Sequence, residues 1–161
     1  SVHEYPTSEQ MAEMAISTAR VVRLFGFDPK VAFVSHSTFG QPLTNRTKHI
    51  RKAVDILKEK KVDFEFDGDM QPDVALNPEY KDLYPFSKIV GKANILIMPG
   101  QHSAAISYKM MKTLGDTKVI GPLLIGLGLP IEIAPLRSST SELINLASIA
   151  AYSADVINYK K

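Results

Sequence analysis

The chain has 161 residues, enough for one domain with a sizeable core, and its composition is that of a folded globular protein, with 45% hydrophobic and 22% charged residues. Its net charge of +2 is too small to indicate nucleic-acid binding, and no apolar run approaches the length of a membrane span. Because cysteine is absent, disulfides and thiolate chemistry are excluded, and we expect a cytoplasmic protein.

The first half of the chain alternates helical and strand-like patterns. A capping box that begins at Thr7 predicts a first helix, and the apolar run over 31–34 predicts a buried strand. A second helix is expected from about Thr44, with apolar residues along one side. A strand is expected over 62–66, running into a polar turn at Asp67-Gly68-Asp69.

The second half continues the alternation after a segment with three prolines, 71–85, in which we expect only short helices. The remaining predicted elements are a strand over 94–98, a helix over 101–114, strands over 119–125 and 131–134, and a last helix capped by Ser139 and Glu142. That last helix is apolar almost all round, which predicts that it is buried or lies in an interface.

Strands that alternate with helices predict an α/β fold, a three-layer sandwich in which a mainly parallel sheet carries helices on both faces. In such sheets ligands bind outside the carboxyl ends of the strands, where helix N-termini also point. The loops 36–41, 99–103 and 135–139 therefore become the candidate functional regions.

Hydroxyl groups and a glycine in the first of these loops suit a phosphate or an acyl carbonyl, but an ordinary strand-to-helix connection explains them equally well. The neighbouring basic segment 46–61 is either a solvated face or a helix that attracts a phosphorylated ligand. No histidine is spaced from another in the way that structural zinc sites require, so we predict no metal site.

Ordered motifs run along nearly the whole chain. They are Ser35-His36-Ser37-Thr38-Phe39-Gly40, Asp67-Gly68-Asp69-Met70-Gln71-Pro72-Asp73, Ala93-Asn94-Ile95-Leu96-Ile97-Met98-Pro99 and Tyr108-Lys109, continued by Gly121-Pro122 and residues 139–150. The first four resemble, in the same order, the S-x-S-T-x-G, D-G-E-[LM]-Q-x-D, A-N-V-L-I-F-P and Y-K segments of the phosphate acetyl/butyryltransferase family. The resemblance implies the phosphotransacetylase and isocitrate-dehydrogenase-like version of the predicted fold.

Two details make the chain most similar to the C-terminal phosphotransacetylase-like domain of bacterial hybrid NADP-dependent malic enzymes. Phe39 stands where active transferases usually have lysine, and Met70 with Ala75-Leu76 is similar to the malic-enzyme form of the acidic segment. The resemblance implies a domain that binds acetyl-CoA as a regulatory ligand. Upstream domains of the same chain would hold NADP and a divalent metal and convert malate to pyruvate.

The catalytic set of active transferases, S-R-G-x-S-x-x-D, is altered in this chain. Aligned through Ser139 and Asn145, its Ser, Arg and Asp positions hold Pro135, Leu136 and Glu142. Pro135 cannot deprotonate a thiol and Leu136 cannot hold phosphate, while general-base catalysis alone contributes ~10²–10⁴-fold. The resemblance therefore implies no catalytic residues and an acetyl-CoA site that includes Ser37, Thr38, Phe39, Gly40, Arg137 and Ser138.

The resemblance also implies two lobes with acyl-CoA in the cleft between them. Residues 1–128 would form the smaller lobe, and 129–161 a strand and helix of a lobe that begins upstream. We expect a homo-oligomer that binds a small-molecule CoA thioester, and neither nucleic acid nor membrane. Two alternatives remain: an active transferase that uses Arg137, Ser138 and Glu142 in shifted geometry, and a purely structural oligomerisation module.

Overall fold

The computed structural model describes residues 3–115, 119–127 and 129–159, apart from the side chains of Lys81 and residues 156–159. The helices and strands in these ranges are α1 (Ser8–Leu24), β1 (Lys30–Val34), α2 (Asn45–Glu59), β2 (Glu65–Met70), α3 (Pro72–Leu76), β3 (Ile95–Ile97), α4 (Gln101–Leu114) and α5 (Thr140–Tyr159). A short 3-10 helix, Pro78–Asp82, follows α3. Within the described ranges we find no helix with the length and apolar character needed to cross a bilayer.

The first helix begins where its capping box predicts, and the second begins next to Thr44, as expected. The Thr7 hydroxyl accepts a hydrogen bond from the Gln10 N–H at 3.2 Å, and the Gln10 side chain accepts one from the Thr7 N–H at 2.9 Å. Thr44 and Thr47 form the same reciprocal pair at the start of α2, at 3.2 and 2.8 Å. These bonds satisfy N–H groups that a helix leaves unpaired in its first turn.

The three strands form one parallel sheet in the order β2-β1-β3. Successive side chains of a strand point to opposite faces, so Val31 and Phe33 face one way and Ala32 the other. Val31 and Phe33 pack with the apolar sides of α1 and α2, whereas Ala32 packs with Met70, with Ala75 of α3 and with two residues of the following loop. The predicted parallel sheet with helices on both faces is confirmed.

The second strand differs from its prediction. It begins at Glu65 and includes the acidic segment predicted to be a turn. Buried carboxylates fit here because they have backbone partners: Asp67 accepts the N–H of Gly68 at 2.9 Å and that of Lys88 at 2.8 Å. Tertiary hydrogen bonds have overridden the turn preference of Asp and Gly.

The prediction of strands over 119–125 and 131–134 is wrong, because the structure shows no strand there in the residues it describes. Their apolar side chains are about half exposed, with Ile120 at 46% and Ile133 at 55%. A strand needs a neighbour to satisfy its backbone groups, and neither segment has one among the described residues. Hydrophobic periodicity therefore identified apolar segments but not their conformation.

The chain divides into two compact units, Ser1–Lys109 (unit 1) and Met110–Lys161 (unit 2). The lobe boundary expected at residue 128 stays a prediction. Unit 1 contains the sheet and both clusters of buried apolar side chains. In unit 2, α5 buries Leu146 but leaves Leu143 and Ile144 exposed at 47% and 60%, so burial of the whole helix is not observed and an interface remains its predicted role.

Candidate functional site

The loop after β1, residues 35–41, is fixed by backbone hydrogen bonds to the end of β2. The Ser35 N–H donates to the Met70 carbonyl at 2.9 Å, and the Phe39 N–H donates to the Asp69 carbonyl at 2.6 Å. The Gln71 N–H donates to the Thr38 hydroxyl at 3.2 Å. The conformation of this loop therefore depends on the carboxyl end of the neighbouring strand.

The Asp69 side chain is the buried centre of this loop. Its Oδ2 accepts the Ser37 hydroxyl and lies 3.4 Å from the Gly40 N–H. Asp69 and Ser37 are both fully buried, and Asp69 Oδ1 has no hydrogen-bond partner among the described residues. Burying a carboxylate is costly unless hydrogen bonds compensate, so the bond from the Ser37 hydroxyl is expected to stabilise Asp69 in this position.

Four predicted ligand residues, Ser37, Thr38, Phe39 and Gly40, lie together in this loop. The Ser37 and Thr38 side chains face inward and serve the loop's own hydrogen bonds, and Gly40 is buried. The loop exposes His36 and Gln41 to solvent, and the Phe39 ring is half-buried. Contact of Ser37 and Thr38 with a ligand stays a prediction. In the structure both hydroxyl groups form hydrogen bonds that stabilise the loop.

The other two predicted ligand residues, Arg137 and Ser138, lie in unit 2, in the turn before α5. The Ser138 N–H donates to the Pro135 carbonyl at 3.0 Å, and the Arg137 side chain is exposed. The Ser138 hydroxyl oxygen is buried and has no partner among the described residues. It lines a small pocket with Gly121, Pro135 and Asn145.

Glu142 lies in the first turn of α5 and is held by three donors. Its carboxylate accepts from Lys112 Nζ at 2.8 Å, from the Ser139 N–H at 2.8 Å and from the Ser139 hydroxyl at 3.1 Å. The bond from Lys112, with those from Ser139, lowers the pKa of Glu142 from its ordinary 4.5 to about 2. The predicted capping box is confirmed, and a carboxylate with such a pKa is a weak base.

Glu142 is expected to remain ionised in the folded protein until the pH approaches 2. Because its pKa is lower folded than unfolded, it stabilises the fold above pH 4.5 and loses that effect as the pH falls from about 4.5 to about 2. Titration of the carboxyl ¹³C resonance would show this, and Lys112→Met should raise the pKa toward 4.5. An unchanged pKa in that variant would contradict the assigned cause.

Sequence reasoning missed the role of Asp69, which was explained as a turn residue. It also missed Tyr84 and Phe86, whose rings contact the Phe39 ring with centroids 5.5 and 4.8 Å away. No spacing pattern links position 39 to positions 84 and 86, so this contact exists only in the fold. Among the described residues, no group of three or more His, Asp or Glu side chains is arranged to hold a metal ion.

The parallel sheet with helices on both faces, and a polar loop at the carboxyl end of its central strand, define the class as an α/β domain. The family described as phosphate acetyl/butaryl transferase matches residues 1–151. The chain belongs to this family, and the predicted resemblance is confirmed.

The relatives of this chain include malic enzymes and phosphate acetyltransferases. An NADP-dependent malic enzyme of Rhizobium meliloti is 48% identical over 96% of this chain and 20% of its own length. A phosphate acetyltransferase of Bacillus subtilis is 35% identical over 91% of this chain and 46% of its own length. The crystal structure of a phosphotransacetylase from Streptococcus pyogenes superposes with a TM-score of 0.89 at 34% identity, covering 96% of this chain and 47% of that one.

The chain thus spans about one fifth of the malic enzymes and just under half of the phosphate acetyltransferases that it matches. It is homologous to the phosphotransacetylase-like part of malic enzymes as well as to phosphate acetyltransferases.

Proposed function

We propose that this chain is a regulatory, acetyl-CoA-binding and non-catalytic phosphotransacetylase-like domain of an NADP-dependent malic enzyme. The observation that carries the proposal is the state of Glu142, the only carboxylate at a position of the family's catalytic set. It is engaged by Lys112 and Ser139, and its pKa is about 2. With Pro135 and Leu136 at the other two positions, the turn has no group that could activate a thiol.

Ligand binding is supported by polar groups that the turn before α5 leaves unused. The buried Ser138 hydroxyl lacks a partner among the described residues, and a ligand carbonyl or phosphate would provide one. The exposed Arg137 guanidinium suits a phosphate. A CoA thioester offers both kinds of acceptor, and the family's name refers to acyl transfer.

We propose that this domain is part of a longer polypeptide. Upstream malic enzyme domains would hold NADP and a divalent metal, and the protein would be a cytoplasmic homo-oligomer. Regulation requires that acetyl-CoA bind two states of the protein with different affinity. The exposed apolar residues of α5 support an interface that could change between such states.

The proposal predicts that acetyl-CoA stabilises the protein against thermal unfolding. At a free concentration 100 times the dissociation constant, binding to the folded state alone adds about 2.7 kcal/mol. The midpoint should rise with acetyl-CoA and not with acetate at the same concentration. A midpoint that stays constant up to millimolar acetyl-CoA would contradict the proposal.

The second candidate function is an active phosphate acetyl- or butyryltransferase, favoured by the 35% identity to the Bacillus subtilis enzyme. It would have to use Arg137, Ser138 and Glu142 in shifted geometry. An assay of acetyl-CoA formation from acetyl phosphate and CoA separates the two functions. We expect no turnover above background, and turnover that is lost in Arg137→Ala would establish the transferase instead.

A further inference from the structure

Residues 4–6, which precede α1, lie across the turn between β3 and α4. A methyl group added at Gly100 in that turn would lie 2.5 Å from the Glu4 carbonyl oxygen and 3.9 Å from Pro6 Cδ. The 4–6 segment therefore rests on the carboxyl end of β3, the edge at which open α/β sheets bind ligands. Gly100 belongs to the loop 99–103, a predicted functional region, and is covered here by the chain's own backbone.

His49 of α2 is hydrogen-bonded to the backbone of the 4–6 segment. Its Nε2 lies 2.9 Å from the Pro6 carbonyl oxygen and donates the hydrogen, because a carbonyl oxygen can only accept. The other ring nitrogen, Nδ1, lies 3.1 Å from the Ser8 hydroxyl, and that hydroxyl donates to the His49 carbonyl at 2.8 Å. Ser8 is buried at the start of α1, so it holds the imidazole in the orientation that reaches Pro6.

Arg46, three residues before His49 in α2, provides a second attachment. Its guanidinium carbon lies 5.9 Å from the centre of the Tyr5 ring, within the range of a cation–π interaction. Tyr5 is 72% exposed, and such a pair contributes little in water. Of the three residues in the 4–6 segment, only Pro6 is buried, so the contacts with α2 contribute much of its attachment.

The first helix does not depend on the 4–6 segment for its cap. Thr7 and Gln10 satisfy each other's backbone N–H groups, and both follow the segment. The bonds between Ser8 and His49 also persist when only residues 4–6 move. The backbone at Thr7 can therefore rotate without unravelling α1, which makes the opening of this segment a local event.

We propose that the 4–6 segment is a lid that closes the turn between β3 and α4, with His49 and Arg46 as its latch. Opening breaks the bond from His49 to the segment and moves the segment off Gly100, which uncovers the carboxyl end of β3. The rest of unit 1 stays folded, because α1 keeps its cap and its packing against α2 and the sheet. None of the residues predicted to contact acetyl-CoA lies in the lid, so this inference does not depend on the proposed function.

Native-state hydrogen exchange tests the latch. In His49→Ala, which removes both ring nitrogens, peptides that span 3–10 and 98–105 should exchange roughly 5- to 30-fold faster than in the wild type, the factor expected when one or two hydrogen bonds are lost. His49→Gln should restore much of the protection, since its side-chain amide can still donate to the Pro6 carbonyl. Unchanged exchange of both peptides in His49→Ala would overturn the latch.

Lys48→Ala is the matched control, because Lys48 is the exposed neighbour of His49 in α2. It should leave the exchange of both peptides at the wild-type rate. A Lys48→Ala variant that accelerates them as much as His49→Ala does would show that the effect comes from α2 in general and would also overturn the latch.

Gly100→Ala tests the closure itself. The added Cβ meets the Glu4 carbonyl, a backbone group, while the φ of Gly100 is not positive and suits alanine. We expect the peptide 3–10 to lose protection while the peptide 30–35, which contains β1, keeps its wild-type exchange. In the wild type, low concentrations of urea should accelerate exchange of 30–35 more than that of 3–10, because a local opening exposes little surface.

Two results would contradict the lid. If 3–10, 98–105 and 30–35 exchange together in the wild type and in His49→Ala, the segment opens only when unit 1 unfolds. If 3–10 exchanges faster in His49→Ala but 98–105 does not, the segment opens without uncovering the turn between β3 and α4.

Discussion

Replacing Gly68 with alanine is expected to destabilise the protein by about 3 kcal/mol or more. Gly68 pairs with Phe33 in the sheet, and an added Cβ would lie 2.7 Å from the Phe33 Cβ and 2.8 Å from its carbonyl oxygen. These atoms belong to the buried central strand and cannot move aside as a flexible side chain could. The φ of 152° adds backbone strain for any residue other than glycine.

Gly26→Ala separates the steric clash from the backbone strain, because Gly26 also has a positive φ, 82°, but no atom within 4 Å of an added Cβ. That variant should lose only about 1–2 kcal/mol. Urea unfolding of both variants measures the difference. Equal destabilisation would show that the close approach of β1 and β2 does not limit the residue at position 68.

Asp69→Ala is expected to destabilise the protein by about 3 kcal/mol and to weaken acetyl-CoA binding together with stability. The carboxylate accepts the Ser37 hydroxyl, and its removal leaves that buried hydroxyl without its acceptor. The Gly40 N–H loses a long contact of 3.4 Å as well. Because Phe39 lies between Ser37 and Gly40 in the loop, the Phe39 ring should also lose its fixed position beside Tyr84 and Phe86.

Ser37→Ala and the double variant with Asp69→Ala test whether the effect passes through this hydrogen bond. The double variant should be more stable than the sum of the single effects predicts, by about 1–2 kcal/mol. Asp73→Ala, which removes an exposed carboxylate in the first turn of α3, should change stability by less than about 1 kcal/mol. Additive effects of the Ser37 and Asp69 substitutions would contradict the assigned role of Asp69.

Local signals in the sequence predicted the helices well. The predicted capping residues Thr7 and Ser139 mark true helix starts, because a cap needs only contacts within four residues. The second helix also begins where it was expected, next to Thr44. The buried strands β1 and β3 were also predicted within a residue or two, since each is a short apolar run followed by polar or turn residues.

The failures occurred where long-range contacts decide the conformation. The Asp67-Gly68-Asp69 segment resembles a turn by composition, yet it is a strand because Lys88 and the loop after β1 supply partners distant in sequence. The apolar segments 119–125 and 131–134 resemble strands by composition, but no neighbour pairs with them among the described residues. Sequence alone specifies what a segment prefers, not which partner it meets.

In the candidate site, too, local motifs were visible in the sequence and long-range contacts were not. Motif resemblance predicted Phe39 and Ser138 as site residues, and this stays a prediction, whereas the contacts of Phe39 with Tyr84 and Phe86 are seen only in the fold. The same resemblance predicted an altered catalytic set, with Pro135 and Leu136 at two of its positions. The hydrogen bond from Lys112 that lowers the pKa of Glu142 comes from 30 residues upstream and could not be inferred.

Calorimetric titration of acetyl-CoA into the protein, in the presence of phosphate, tests the central claim most directly. Our account predicts saturable heat with each injection and a return to baseline, because the ligand binds and no acetyl group is transferred. Titration of CoA alongside shows how much of the affinity depends on the acetyl group. No heat of binding, or a sustained heat signal from turnover to acetyl phosphate, would contradict a binding domain without catalysis.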